Sequence, residues 1–152
     1  MTSLADARVR TILRDAMIVD LATVSAKRRP FVTPIWFVAE DGVLYMTTGT
    51  GTRAAKNIAA QPAVTLLFAG AHAERAAPVL RVRGTATCHA GLPPWRVLVR
   101  IAAKYYLSPS GLGSELANVA KWRLRVRYYA QVAGGPGHLR VVPAEAELLP
   151  RP

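Results

Sequence analysis

The chain has 152 residues and carries 20 Lys plus Arg against 9 Asp plus Glu, a net charge of +11. That length suits one domain spanning 1–152, and 51% hydrophobic against 19% charged residues excludes an intrinsically disordered chain. No apolar run approaches a membrane span, the first residues MTSLADARVR lack a signal core, and the single Cys88 excludes an internal disulfide, so a soluble cytoplasmic protein is expected.

In chain order, Ser3 to Arg14 places Leu4, Val9, Ile12 and Leu13 near helical spacing, with Ser3 as the N-cap. Met17 to Ser25 alternates and is β-branched, which predicts a strand, and Ala26 to Pro30 is the polar turn after it. Phe31 to Ala39 is a second strand interrupted by Pro34. Proline has no N–H for a ladder, so an edge, a bulge or a ligand is expected there. Glu40-Asp41-Gly42 turns into a third strand, Val43 to Thr48.

Gly49-Thr50-Gly51-Thr52 then leads into an Ala-rich helix over Arg53 to Ala60, capped by Thr52 and stopped by Gln61-Pro62. Strands follow over Ala63 to Ala69 and Val79 to His89, the latter carrying Arg81 and Arg83 in alternation. Pro93-Pro94 opens a helix from Trp95 to Tyr106, with Val97, Leu98, Ile101 and Tyr105 as the buried stripe. Ser108 to Gly113 is a loop and Trp122 to Val132 a strand with Arg123, Arg125 and Arg127 on one face. Gly134 to Gly137 is a turn, and Leu139 to Leu149 is the last strand. Six or seven short antiparallel strands with few helices predict a mainly β barrel with helical decoration.

The chemistry concentrates in Pro30 to Phe68. A Gly/Thr turn running into a helix that starts Thr52-Arg53 offers free N–H groups, hydroxyls and the charges of Arg53 and Lys56. Those parts can cradle a phosphate, or simply cap a helix with nothing bound. The basic charge itself reads either as a solvated surface or as a surface for an anionic partner. His72, His89 and His138 lie far apart in sequence with no ligand spacing, so no metal site is expected. Cys88 reads as a structural cysteine, and Ser108-Pro109-Ser110-Gly111 has no nucleophile setting. No side chain stands out as a general acid or base, and the catalytic residues are left unassigned. The chain also lacks the aromatic-interleaved basic platform of RNA-recognition domains, and no nucleic-acid partner is expected.

The order of these pieces carries a family likeness. Leu21-Ala22-Thr23-Val24, Leu44-Tyr45-Met46-Thr47-Thr48, Thr52-Arg53, Lys56-Asn57-Ile58, Gln61-Pro62-Ala63-Val64 and Leu139-Arg140-Val141-Val142-Pro143 occur in sequence. In this arrangement the chain resembles the pyridoxamine 5'-phosphate oxidase-like split β-barrel superfamily of flavin- and deazaflavin-dependent oxidoreductases. The resemblance implies a homodimer with a cofactor at the subunit interface. It places Thr33, Pro34, Ile35 and Trp36 beside the tricyclic ring, and Thr47, Thr48, Thr52, Arg53 and Lys56 around the phosphate, with Asn57 supporting the turn. Ala54 departs from the pattern, since many members carry a lysine directly after the arginine. The closing AEAELLPRP lacks the Arg-x-His that grips a vitamin B6 phosphate, so pyridoxamine oxidation is not expected. The chain is similar instead to the compact branch that uses deazaflavin coenzyme F-420, with hydride transfer to a small unsaturated organic substrate as the implied activity. FMN is the alternative cofactor, and a non-catalytic flavin-, deazaflavin- or haem-binding protein is the alternative function.

Overall fold

A computed structural model of the chain describes residues 3–69, 78–105 and 134–150. The expected loop at Ser108 to Gly113, the strand at Trp122 to Val132 and His72 lie outside the described residues. The elements are α1 (Ala7–Asp15), β1 (Ile18–Val24), β2 (Pro30–Glu40), β3 (Val43–Gly49), α2 (Arg53–Ala60), β4 (Ala63–Phe68), β5 (Val79–Ala90), α3 (Trp95–Tyr105) and β6 (Pro136–Leu149). The six strands among the described residues form an antiparallel barrel in the order β1-β2-β3-β6-β5-β4, closed by β1 pairing with β4. This is the mainly β split barrel with short flanking helices that the sequence predicts.

Alternation along the strands fills the interior. Val19 and Leu21 on β1, Leu44 and Met46 on β3, Leu66 and Phe68 on β4, Leu80 and Val82 on β5, and Leu139 and Val141 on β6 are all buried in one core. Phe37 meets Phe68 edge-on across it, with ring centroids 4.8 Å apart. β5 and β6 pair over their whole length with one register shift at Arg83/Gly84, where Ala144 is passed over and Gly84 lies opposite Pro143. A Cβ on Gly84 would stand 2.4 Å from the Val142 carbonyl oxygen, so only glycine fits this bulge.

Two expectations need correction. α1 is capped by Asp6 and not by Ser3: an Asp6 carboxylate oxygen accepts the Arg8 N–H at 2.8 Å, while the Ser3 hydroxyl accepts from Ala5 one turn earlier. The Gly134–Gly137 stretch is only half a turn, because Pro136 and Gly137 already pair with β3 and only Gly134 and Gly135 take positive φ. Alternation alone leaves the Arg81 and Arg83 stripe open as a solvated face, a dimer rim or an anion groove, and the β5–β6 register speaks against the last. Arg81 stands opposite Glu147 and Arg83 opposite Glu145 in the β5–β6 register, and both form ion pairs, the second at 3.7 Å. Each arginine meets an acid across the ladder, an arrangement worth a few tenths of a kcal/mol, up to about 1.

β2 changes partners halfway. Pro30 to Trp36 pair with β1, and Phe37 to Glu40 pair with β3 through a two-residue Asp41-Gly42 turn in which both residues have positive φ. At the switch the Tyr105 hydroxyl of α3 enters the sheet. It accepts the Phe37 N–H at 2.9 Å and lies 2.8 Å from the Met17 carbonyl and 2.7 Å from the Phe37 carbonyl, either of which can take its one proton. Met17 and Phe37 are the next pair in the β1–β2 register after Ile18 and Trp36, so the hydroxyl substitutes for the next rung of the ladder. The Tyr105 ring stacks flat on Trp36, centroids 4.4 Å apart, and Val97 and Ile101 of α3 join Val38 and Met17 in a second cluster outside the barrel. Burial pushes the Tyr105 phenol up to about 12. Beside it the Lys104 ammonium donates to the carbonyls of Leu13 and Phe37 at 3.2 and 3.3 Å, 3.7 Å above the Phe37 ring centroid, and burial lowers its pKa to about 8.

Two outcomes follow from this docking. Tyr105→Phe strips the Phe37 N–H of its acceptor, and denaturant titration will show a loss of about 1–3 kcal/mol at unchanged m-value; a neutral substitution contradicts the rung. Lys104 has a folded-state pKa below its ordinary 10.5, so between about pH 8 and 10.5 the unfolded chain binds more protons. The group's contribution to stability therefore rises with pH through that window. The stability of the wild type relative to Lys104→Met will increase from pH 7 to pH 10, and a decrease contradicts the assignment.

Candidate functional site

The partner switch in β2 builds the site. The β2–β3 ladder ends at Phe37 opposite Met46, leaving Thr33 to Ile35 of β2 and Thr48 to Gly49 of β3 on either side of a seam. Among the described residues no strand pairs with Pro30 to Ile35 on the side away from β1. Phe37 directs its N–H toward the β1 side, so by alternation Pro34 turns its nitrogen toward the seam. The proline therefore stands at an edge, and its missing N–H breaks no rung. Thr33 and Ile35 are half-buried and Pro34 is exposed, while Trp36 is half-buried against Tyr105.

The turn at the end of β3 is locked from within. The Thr52 hydroxyl lies 3.0 Å from the Gly49 carbonyl, to which it donates, and accepts the Ala55 N–H at 3.3 Å as the N-cap of α2. Since its one proton goes to Gly49, the buried Thr48 hydroxyl, 3.3 Å away, is the donor in the Thr48–Thr52 contact. Thr50 donates its hydroxyl to the Gly134 carbonyl and its N–H to Gly135 at 3.1 Å. A Cβ on Gly134 would lie 2.5 Å from the Gly51 nitrogen, so this stitch requires glycine. The threonine hydroxyls thus spend their protons inside the turn. What remains for an anion is the pair of α2 amides at Arg53 and Ala54, which have no intrahelical acceptor, together with two side-chain cations.

Those cations share one face. Arg53 and Lys56, three residues apart, are both exposed, and the Arg53 guanidinium lies 5.2 Å from the centroid of the Phe31 ring on β2. The opposite face of α2 is core: Ala54 and Ile58 are 3% exposed. A lysine at position 54 would have to bury its charge, which accounts physically for the alanine there. Asn57 also faces inward, and its amide donates to the Thr23 hydroxyl at 3.0 Å. It anchors α2 to β1. Thr33 to Trp36, Thr47, Thr48, Thr52 and Arg53 therefore border one seam, with Lys56 beside it and Asn57 behind it.

Other features appear only in three dimensions. His89 and His138 are not far apart: they are direct cross-strand partners on β5 and β6, with ring centroids 5.2 Å apart. Among the described residues no group of three or more His, Cys, Asp or Glu could hold a metal ion. Cys88 is half-buried against the core and burial pushes its thiol up, as a structural cysteine requires. An open groove of about 850 Å³ runs between α1, β2 and α3, with Arg10, Leu13, Val38, Arg100 and Lys104 along it. Arg100 is held there by an ion pair with Glu40. None of Tyr105, Lys104 or His138 carries a local pattern that marks its role, because each role depends on which strand lies beside it.

Comparison with known proteins agrees with this architecture. Solved structures similar to the chain include a conserved hypothetical protein from Mycobacterium tuberculosis (17% identity, 99% of this chain and 86% of that one, TM-score 0.69). Others are the haem storage protein HutZ from Vibrio cholerae (16%, 94% and 93%, 0.66) and an F-420 reductase (20%, 91% and 94%, 0.62). At these identities the likeness is one of fold. No curated protein matches the sequence. A family model described as pyridoxamine 5'-phosphate oxidase matches residues 5–133, most of the chain. The chain belongs to the pyridoxamine 5'-phosphate oxidase family.

Proposed function

We propose that the chain binds a flavin-type cofactor along the β2–β3 seam and transfers a hydride between reduced deazaflavin coenzyme F-420 and a small unsaturated organic substrate. The observation that carries this reading is the seam itself, a gap in the ladder that runs into the start of α2 where Arg53 and Lys56 share an exposed face. The donor set suits a phosphate: two helix-start amides and two cations, with no carboxylate among the seam residues. A structural neighbour that is an F-420 reductase is in keeping with the deazaflavin. A haem storage neighbour keeps non-catalytic binding as the second reading.

When bound, the cofactor supplies the hydride chemistry. The chain's part is to hold and orient. Pro34 and Trp36 offer a rigid wall for a planar ring, with Trp36 fixed by its stack on Tyr105. Arg53, Lys56 and the first amides of α2 hold the phosphate end. The protein works in the cytoplasm in this reading, and no described helix is long and apolar enough to cross a membrane.

One seam supplies one wall, and a pocket that buries most of a ligand needs others. A second copy provides them in the proposed homodimer, with α3 contributing to the contact. Its Trp95 is 70% exposed and Val99 58%, and Leu92 just before it is 69% exposed, an apolar patch that suits a subunit interface.

Two measurements test the reading. Fluorescence titration with F-420, FMN and haemin will show tightest binding of F-420, and Arg53→Ala with Lys56→Ala will weaken it tenfold or more, since charge-assisted bonds are worth about 1.5–3 kcal/mol each. Tighter haemin binding that is indifferent to the double substitution favours the second reading. Sedimentation across a dilution series will show a dimer that Trp95→Glu dissociates; a monomer with full cofactor affinity contradicts the shared pocket.

A further inference from the structure

The cross-strand histidines are assembled with more care than a surface contact requires. Gly137, one residue before His138, lies against β5: a Cβ there would stand 2.8 Å from the His89 carbonyl oxygen and 2.7 Å from the Thr50 side chain. Glycine at this position lets the two strands close up where the imidazoles face each other. At the end of β5, Gly91 turns with φ +86 and its carbonyl oxygen lies 3.2 Å from His138 Nδ1. A carbonyl only accepts, so Nδ1 carries the hydrogen, and in the neutral ring Nε2 is the lone-pair nitrogen. On the neighbouring strand, His89 Nε2 lies 2.9 Å from the Thr87 hydroxyl, which can accept from it and leave Nδ1 as the lone-pair nitrogen. Each ring thus has one nitrogen held by the protein and one with no hydrogen-bond partner among the described residues.

That is the arrangement of histidines that ligate metals, where the second nitrogen is fixed by a carbonyl or hydroxyl that sets the tautomer. The two imidazoles stack with centroids 5.2 Å apart and planes 21° apart, so they share an ion once the exposed His89 ring turns out of the stack and releases Thr87, while His138 stays fixed by the Gly91 carbonyl. Cys88 pairs with the buried Leu139 and packs on the core, on the other face of β5, and takes no part. On this face Arg140 stands opposite Thr87.

We propose that His89 and His138 form a two-imidazole site for a divalent transition ion of the copper, nickel or zinc class, with its remaining positions left to water or an exogenous anion. Two neutral nitrogen donors select these ions over magnesium and calcium, which take oxygen ligands, and rank copper first. The site does not depend on the cofactor reading. Calorimetric titration of the untagged full chain with Cu²⁺ and Zn²⁺ tests it, alongside electron paramagnetic resonance of the copper form. Expected are one ion per chain, copper bound tighter than zinc, and hyperfine structure from two imidazole nitrogens. His89→Gln and His138→Gln each weaken binding about tenfold or more and leave one nitrogen in the spectrum. A wild-type spectrum with a single nitrogen, or affinity unchanged in both variants, overturns the site.

Discussion

The structure turns on β2 having two successive neighbours. Its first half borrows its ladder from β1 and its second half from β3, and an eleven-residue strand is long enough to serve both. A barrel closed by uniform pairing would bury the edge of every strand and leave no place for a planar ligand between them. In the proposed reading the switch at Phe37 provides that place, and it leaves no unpaired N–H at position 34 because the residue there is a proline. Pro34 is thus both permitted by the open edge and incompatible with closing it.

An interrupted ladder needs a substitute where it stops, and α3 provides one from far along the chain. The Tyr105 hydroxyl satisfies Phe37, its ring fixes Trp36, and the neighbouring Lys104 ties the end of α1 to the same carbonyl. A half-buried ammonium held by two carbonyls and an aromatic face is costly to desolvate, and its lowered pKa reflects this even with the Asp15 charge acting the other way. The wall of the proposed ring site is thereby coupled to a helix that also carries the exposed Trp95 and Val99. Assembly through α3 and ordering of the seam draw on the same contacts in this account.

Much of this was legible in the sequence where the determinant is local. The bounds of α2, its Thr52 cap and the Asp41-Gly42 hairpin follow from capping and turn chemistry within a few residues, and the structure reproduces them. The stripe of α3 was legible by period, with Val97 and Tyr105 buried and Ile101 packed beside them. The cap of α1 lies three residues later than expected because Leu4 extends the apolar spacing ahead of the helix, while the Asp6 carboxylate favours the helix start through its charge. What depends on register was not legible. Arg81 and Arg83 look like a basic face until Glu147 and Glu145 arrive opposite them, and His89 meets His138 across 49 positions only once β5 and β6 are aligned. Asn57 fits a family pattern in one dimension, yet the helical phase turns it inward to Thr23.

The central claim is that the gap in the ladder between β2 and β3 receives the cofactor. Backbone amide chemical shifts, recorded with and without F-420 or FMN, test it most directly, since they locate a ligand without any substitution. The account predicts that the largest shifts fall on Thr33, Ile35, Trp36, Thr47, Thr48 and the first amides of α2. Shifts confined to the groove along α1 and α3, or to the ion pairs of β5 and β6, would contradict it.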